Sequence, residues 1–115
     1  MAPLHLARLT MPAMVEVGEG VLIVIGDTSA LRGRRNLAGF ARTKAQDLGP
    51  KGGHVATLVI DAVIDVPRQR DRLPYAPDAF FISPAFIADE IFPLAHQSRE
   101  AWSFLAELRP FYEAW

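Results

Sequence analysis

Two aspartates are placed where an open α/β sheet would present chemistry. Asp27 follows the apolar run Val21-Leu22-Ile23-Val24-Ile25-Gly26, and Asp61 follows the apolar stretch 55–60. If the two runs are parallel neighbouring strands, both carboxylates sit at the carboxyl edge of the sheet, the usual ligand position in such folds. Paired carboxylates there can hold Mg²⁺, and Arg34 or Arg35 can meet the phosphate of an ester substrate. The same residue types also serve structure alone, with Asp27, Thr28 and Ser29 capping a helix and Asp61 ending a strand.

Gly26-Asp27-Thr28-Ser29-Ala30-Leu31, delivered by an apolar strand, resembles the opening of PIN-domain ribonucleases over Val21 to Leu31. The resemblance implies a magnesium ligand at Asp27 with a supporting hydroxyl at Thr28 or Ser29, and further acids drawn from Asp61, Asp65, Asp71, Asp78, Asp89 or Glu90. Other constellations are weaker. Gly49-Pro50-Lys51-Gly52-Gly53-His54 lacks the phosphate-loop spacing and precedes a strand, so it has no helix N-terminus for an anion. His5, His54 and His96 are far apart, and none has a second ligand within one helical turn. His96 and Glu100 read as a solvated i, i+4 pair. No serine sits in a G-x-S-x-G elbow. Without cysteine there is no disulfide, thiolate zinc site or cysteine nucleophile, which fits a cytoplasmic protein. Arg68-Gln69-Arg70-Asp71-Arg72, beside Tyr75, reads as a solvated loop or a surface for a charged partner.

The elements that must position these residues follow from a chain of 115 residues with 12 basic and 13 acidic side chains, the arithmetic of one α/β domain. The near-neutral charge argues against a general nucleic-acid-coating role. The longest apolar run is far short of the ~20 residues that span a bilayer, so no membrane partner is expected. Residues 1–13 read as an irregular leader, and 14–115 as the domain. Met14-Val15-Glu16-Val17 and Val21 to Ile25, joined by Gly18-Glu19-Gly20, predict an opening β-hairpin whose second strand is covered on both faces. Leu37, Phe40, Ala41, Lys44, Ala45 and Leu48 predict a helix from an Asn36 N-cap to Gly49-Pro50. Val55 to Val66 predicts a strand that stops or bends near Asp61. Ala79 to Ile82 predicts a short buried strand, Ser83-Pro84 starts a helix that Pro93 breaks or kinks after about two turns, and Ser98 caps a last helix carrying Trp102, Leu105 and Leu108. The order is β-β-α-β-β-α-α, a mixed sheet covered by about three helices. It resembles small STAS or SpoIIAA-like domains over Val15 to Ile25, Val55 to Asp61 and Ala79 to Pro84, which implies a binding or regulatory module.

Composition is uneven along the chain, with every glycine at or before Gly53 and ten of eleven aromatics at or after Tyr75. So many rings over one small sheet predict a shared surface, a homodimer or a protein partner meeting Trp102, Leu105, Phe111, Tyr112 and Trp115. The expected function is therefore a binding module that self-associates through aromatic carboxyl-terminal helices and needs no cofactor. The alternative is a Mg²⁺-dependent phosphoesterase or nuclease using Asp27 and Asp61 as ligands, with Arg34 and Arg35 as anion contacts.

Overall fold

In the computed structural model, residues 2–26 and 35–111 are described, with side chains from 4 to 26 and from 39 onward. Asp27, Arg34, Tyr112 and Trp115 lie outside the described residues. The elements are α1 (Ala2–Val17), β1 (Gly20–Gly26), α2 (Arg35–Leu48), β2 (Gly53–Ile60), β3 (Val63–Ile64), α3 (Pro67–Arg72), β4 (Phe81–Ile82), α4 (Pro84–Ala95) and β5 (Leu105–Leu108). The chain is thus a small α/β protein with parallel strands.

The opening hairpin does not form, and the expected irregular leader is helical from Ala2. Leu4, Ala7, Met11 and Met14 recur at three and four, a helical period that puts Ala7 in the interior at 1% exposure. The alternation at 14–17 is the end of this stripe. Gly18 then stops the helix in the left-handed region, φ 78°, with its N–H donating to the Met14 carbonyl at 2.9 Å.

The main sheet has the order β1-β2-β5, parallel throughout. Register runs from Gly20 opposite Gly53 to Gly26 opposite Val59, and from Thr57 opposite Leu105 to Ile60 opposite Leu108. β2, and not the run 21–25 expected in that role, is the central strand covered on both faces: it is buried at all eight positions, whereas β1 lies at the edge of the described sheet with Val21 and Ile25 exposed. On one face a Cβ at Gly53 would lie 2.9 Å from the Leu48 Cβ, so α2 rides close on the strand where glycine leaves room. On the other, Leu58 and Ile60 pack with Ile82, Ile87, Ile91, Ala106 and Leu108.

The strand stops at Ile60, next to the expected break at Asp61, and Val63 and Ile64 pair in parallel with Phe81 and Ile82 in a second, two-stranded sheet. Ser83 caps α4 as its sequence predicts, its Oγ accepting from the Phe86 N–H at 3.1 Å. Pro93 sits in the last turn of α4 rather than breaking it: a proline there removes only one ladder bond, and the helix ends anyway at His96.

The last helix is replaced by β5. Trp102, Leu105 and Leu108 do recur at three, but Ala106 and Leu108 face the core while Leu105 and Glu107 point outward, a period of two. Pairing with β2 on backbone hydrogen bonds overrides the weak helical spacing.

Leu58→Ala should lower unfolding free energy by about 2–5 kcal/mol, whereas Leu9→Ala, on the exposed side of α1, should change it by less than about 0.5 kcal/mol. Urea denaturation of the two variants checks the contrast.

Candidate functional site

Because the strands are parallel, their carboxyl ends share one edge, at Gly26, Ile60 and Leu108. The Asp61 N–H donates to the Leu108 carbonyl at 2.9 Å, carrying the ladder one residue beyond β2 and fixing Asp61 at that edge. Arg109, the first residue after β5, places Nη1 3.2 Å from Asp61 Oδ2 and Nη2 3.6 Å from Glu107 Oε2. The Arg109 side chain is 17% exposed and Asp61 25%, so the pair is less screened by water than a surface ion pair.

Asp61 therefore stands where its sequence position places it, but its carboxylate holds a guanidinium. No group of three histidines or acids close enough for a metal occurs among the described residues. Asp27 and Arg34 fall outside those residues, as does the Arg35 side chain.

From Asp61 the chain makes an excursion, β3-α3-β4, seated beside the carboxyl end of β2 by Ile82 packing on Leu58 and Ile60. Residues 67–72, expected as a loop, form the short helix α3, with proline at its first turn. Arg70 grips Asp65 in a fork, Nε to Oδ1 at 2.6 Å and Nη2 to Oδ2 at 2.9 Å, and donates through Nη1 to Asp78 at 2.7 Å. Its guanidinium also lies 4.0 Å from the Phe81 ring centroid. The Arg70 hydrogen bonds hold the Asp65 carboxyl below its ordinary range, opposed by a smaller desolvation effect, and the same bonds raise the Arg70 pKa. Arg70 is thus committed to tying α3 to both β-segments around it.

The aromatic residues expected at an interface have separate fates. Trp102 stacks on His54 at 4.9 Å between ring centroids, with 8° between the planes, and donates from Nε1 to the Gln97 carbonyl at 3.3 Å. Leu105 lies on β5 and Phe111 is exposed. Sequence reasoning missed Arg109, Glu107 and the Asp65–Arg70–Asp78 cluster. Asp61 and Arg109 meet through parallel pairing of strands remote in sequence, which no local spacing encodes.

With this geometry in place, comparison with solved structures is informative. A short-chain dehydrogenase from Rhodopseudomonas palustris matches 91% of this chain at 30% identity, with a TM-score of 0.63. A 3-oxoacyl-[acyl-carrier protein] reductase with bound NAD from Brucella melitensis matches 97% at 19% identity and a TM-score of 0.73. A second structure of a 3-oxoacyl-[acyl-carrier protein] reductase, from Brucella melitensis ATCC 23457, gives 18% identity and 0.71 over 97%.

The likeness is to oxidoreductases. This chain spans 43%, 48% and 49% of those three chains, less than half of each. No protein-family profile and no curated protein matches the chain. The likeness overturns both functional expectations, the self-associating binding module and the Mg²⁺-dependent phosphoesterase, because the matching structures are a dehydrogenase and reductases. The helix that was to carry self-association is also the strand β5. No helix among the described residues is long and apolar enough to cross a membrane.

The lowered Asp65 pKa has a definite sign for stability. A carboxyl whose folded pKa lies below its unfolded value stabilises the fold above the unfolded value, and that contribution is lost as pH falls through the folded one. Arg70→Met should return the Asp65 titration upward to the ordinary carboxylate range and remove the acid-side loss. Carbon-detected NMR titration of the Asp65 carboxyl in both proteins checks this, and an unchanged midpoint would refute Arg70 as the cause.

Proposed function

We propose that this chain forms one mononucleotide-binding half of a doubly wound oxidoreductase fold and contributes the nicotinamide-side half of a hydride-transfer site. The observation that carries the reading is the sequential, all-parallel order β1-β2-β5, in a chain similar in fold over 97% of its length to a 3-oxoacyl-[acyl-carrier protein] reductase with bound NAD. A doubly wound dinucleotide fold joins two such halves, with ligands at the carboxyl ends of the strands.

Which half follows from the sequence. The half that grips the pyrophosphate does so with a G-x-G-x-x-G turn after its first strand, and no such spacing occurs anywhere in this chain. The residues present therefore do not supply that pyrophosphate grip, which leaves the nicotinamide mononucleotide half. When bound, that group supplies or takes up a hydride at a carbonyl or hydroxyl carbon of the substrate.

Asp61, held at the edge by its backbone bond to Leu108 and by Arg109, is the described acceptor for a ribose or substrate hydroxyl. Arg109 fixes the orientation of that carboxylate. The excursion over 61–83, locked by Arg70, is the described segment positioned to shield the edge from water.

Saturation-transfer NMR on the chain with NAD⁺ and NADP⁺ tests the reading. Transfer should be strong to the nicotinamide protons and weak to the adenine protons. Absence of transfer from the protein to either cofactor at millimolar concentration would reject it, and stronger transfer to adenine would assign the wrong half.

A further inference from the structure

The opposite, amino-terminal edge of the sheet holds a cavity of about 560 Å³ between the end of α1, the starts of β1 and β2, and the connection from α4 to β5. This is within the size range of small-molecule sites, and it lies away from the carboxyl edge considered above. Its walls include Met14, Val17, His54, His96, Arg99 and Trp102.

Two imidazoles give this cavity its chemistry. His54 is 3% exposed, and its Nε2 lies 2.8 Å from the Ser103 carbonyl oxygen. A carbonyl only accepts, so Nε2 carries the proton and Nδ1 of the neutral ring is an acceptor. That Nδ1 is buried and has no hydrogen-bond partner among the described residues. His96 repeats the logic in mirror form: Nδ1 lies 2.8 Å from the Phe92 carbonyl oxygen, which leaves Nε2 of the neutral ring as the acceptor. A buried acceptor left unmatched costs free energy that a ligand donor recovers.

The rest of the lining is apolar and aromatic. Trp102, stacked on His54, gives an aromatic wall, and Met14 and Val17 add an aliphatic one. Met14 is unbranched and lies against the Gly20 backbone, a wall able to shift as a donor moves in beside His54. The far side is rigid. Gln97 bonds Ser103 twice, Nε2 to Oγ at 2.9 Å and Oε1 from the backbone N–H at 2.7 Å. Arg99 donates to the Gly18 carbonyl at 2.7 Å, tying this connection to the end of α1.

We infer that this amino-edge cavity is a binding site for a small planar heteroaromatic molecule carrying N–H donors, with the acceptor nitrogens of His54 and His96 as its recognition groups.

The test compares 2-aminobenzothiazole with 2-methylbenzothiazole, which differ only in replacing the amino donor with a methyl group of similar size. Binding to the full chain is followed by the Trp102 indole N–H and the imidazole resonances of His54 in ¹H–¹⁵N NMR. The amino compound should give saturable shifts at both residues, and the methyl compound should bind at least fivefold more weakly. His96→Phe, at an exposed position where folding is not at stake, should weaken the amino compound severalfold and leave the methyl compound unchanged. Shifts that do not saturate, equal affinity for the two compounds, or displacement by nicotinamide mononucleotide would overturn the inference.

Discussion

The structure depends on the complete burial of β2. Eight consecutive residues are withdrawn from water on both faces and both edges, so the neighbouring elements must supply cover on those four sides. β1 and β5 take the edges by parallel pairing, α2 closes on the glycine side at Gly53, and α4 with β4 closes on Leu58 and Ile60. Burial of this kind leaves no tolerance for unmatched backbone groups. It also explains why the sheet can be parallel at three strands, since such sheets persist only when covered. With the strands parallel, their ends are sorted, and the molecule acquires one carboxyl edge and one amino edge with different chemistry.

Much of this was legible in local patterns and some of it was not. The apolar runs at 21–25 and 55–60, the latter interrupted only by Thr57, the Ser83-Pro84 start and the stripe from Leu37 to Leu48 each act within a few residues, and each forms the type of element predicted. The run 21–25 nevertheless lies at the edge of the described sheet, with Val21 and Ile25 exposed, and is not the doubly covered strand expected. The failures share a cause. Residues 14–17 and 102–108 each match two periods at once over a short window, and the choice is made outside that window: the helix that begins at Ala2 carries through 14–17, and the open side of β2 takes 105–108 as β5.

The candidate site divides in the same way. Asp61 could be placed at the carboxyl edge because that needs only a strand and its end. Its engagement by Arg109 could not, because it requires knowing that the strand before Arg109 lies beside β2 in parallel register. Arg70 is a further case. In sequence it is one of three arginines in a polar stretch between prolines, and nothing separates it from Arg68 or Arg72. In the fold it alone has Asp65, Asp78 and Phe81 around its guanidinium, so the stretch that reads as solvent-facing contains the tie that shapes the excursion.

The glycine-rich first half acquires a physical purpose at the amino edge. Gly52 has φ 90°, and a Cβ there would collide with the Gly18 carbonyl oxygen, so the start of β2 can pass the end of α1 only as glycine. The same carbonyl accepts from Arg99. Three segments remote in sequence thus converge on one backbone group, and their convergence sets the mouth of the cavity that His54 and Trp102 line. A side chain at position 52 would force α1 away from β2 and open that mouth before it disturbed the core, because Leu58 and Ile60 pack on the face toward α4. The two edges are therefore coupled through β2 but built from different materials: the carboxyl edge from charged pairs that follow the strand ends, the amino edge from close backbone contact that only glycine permits.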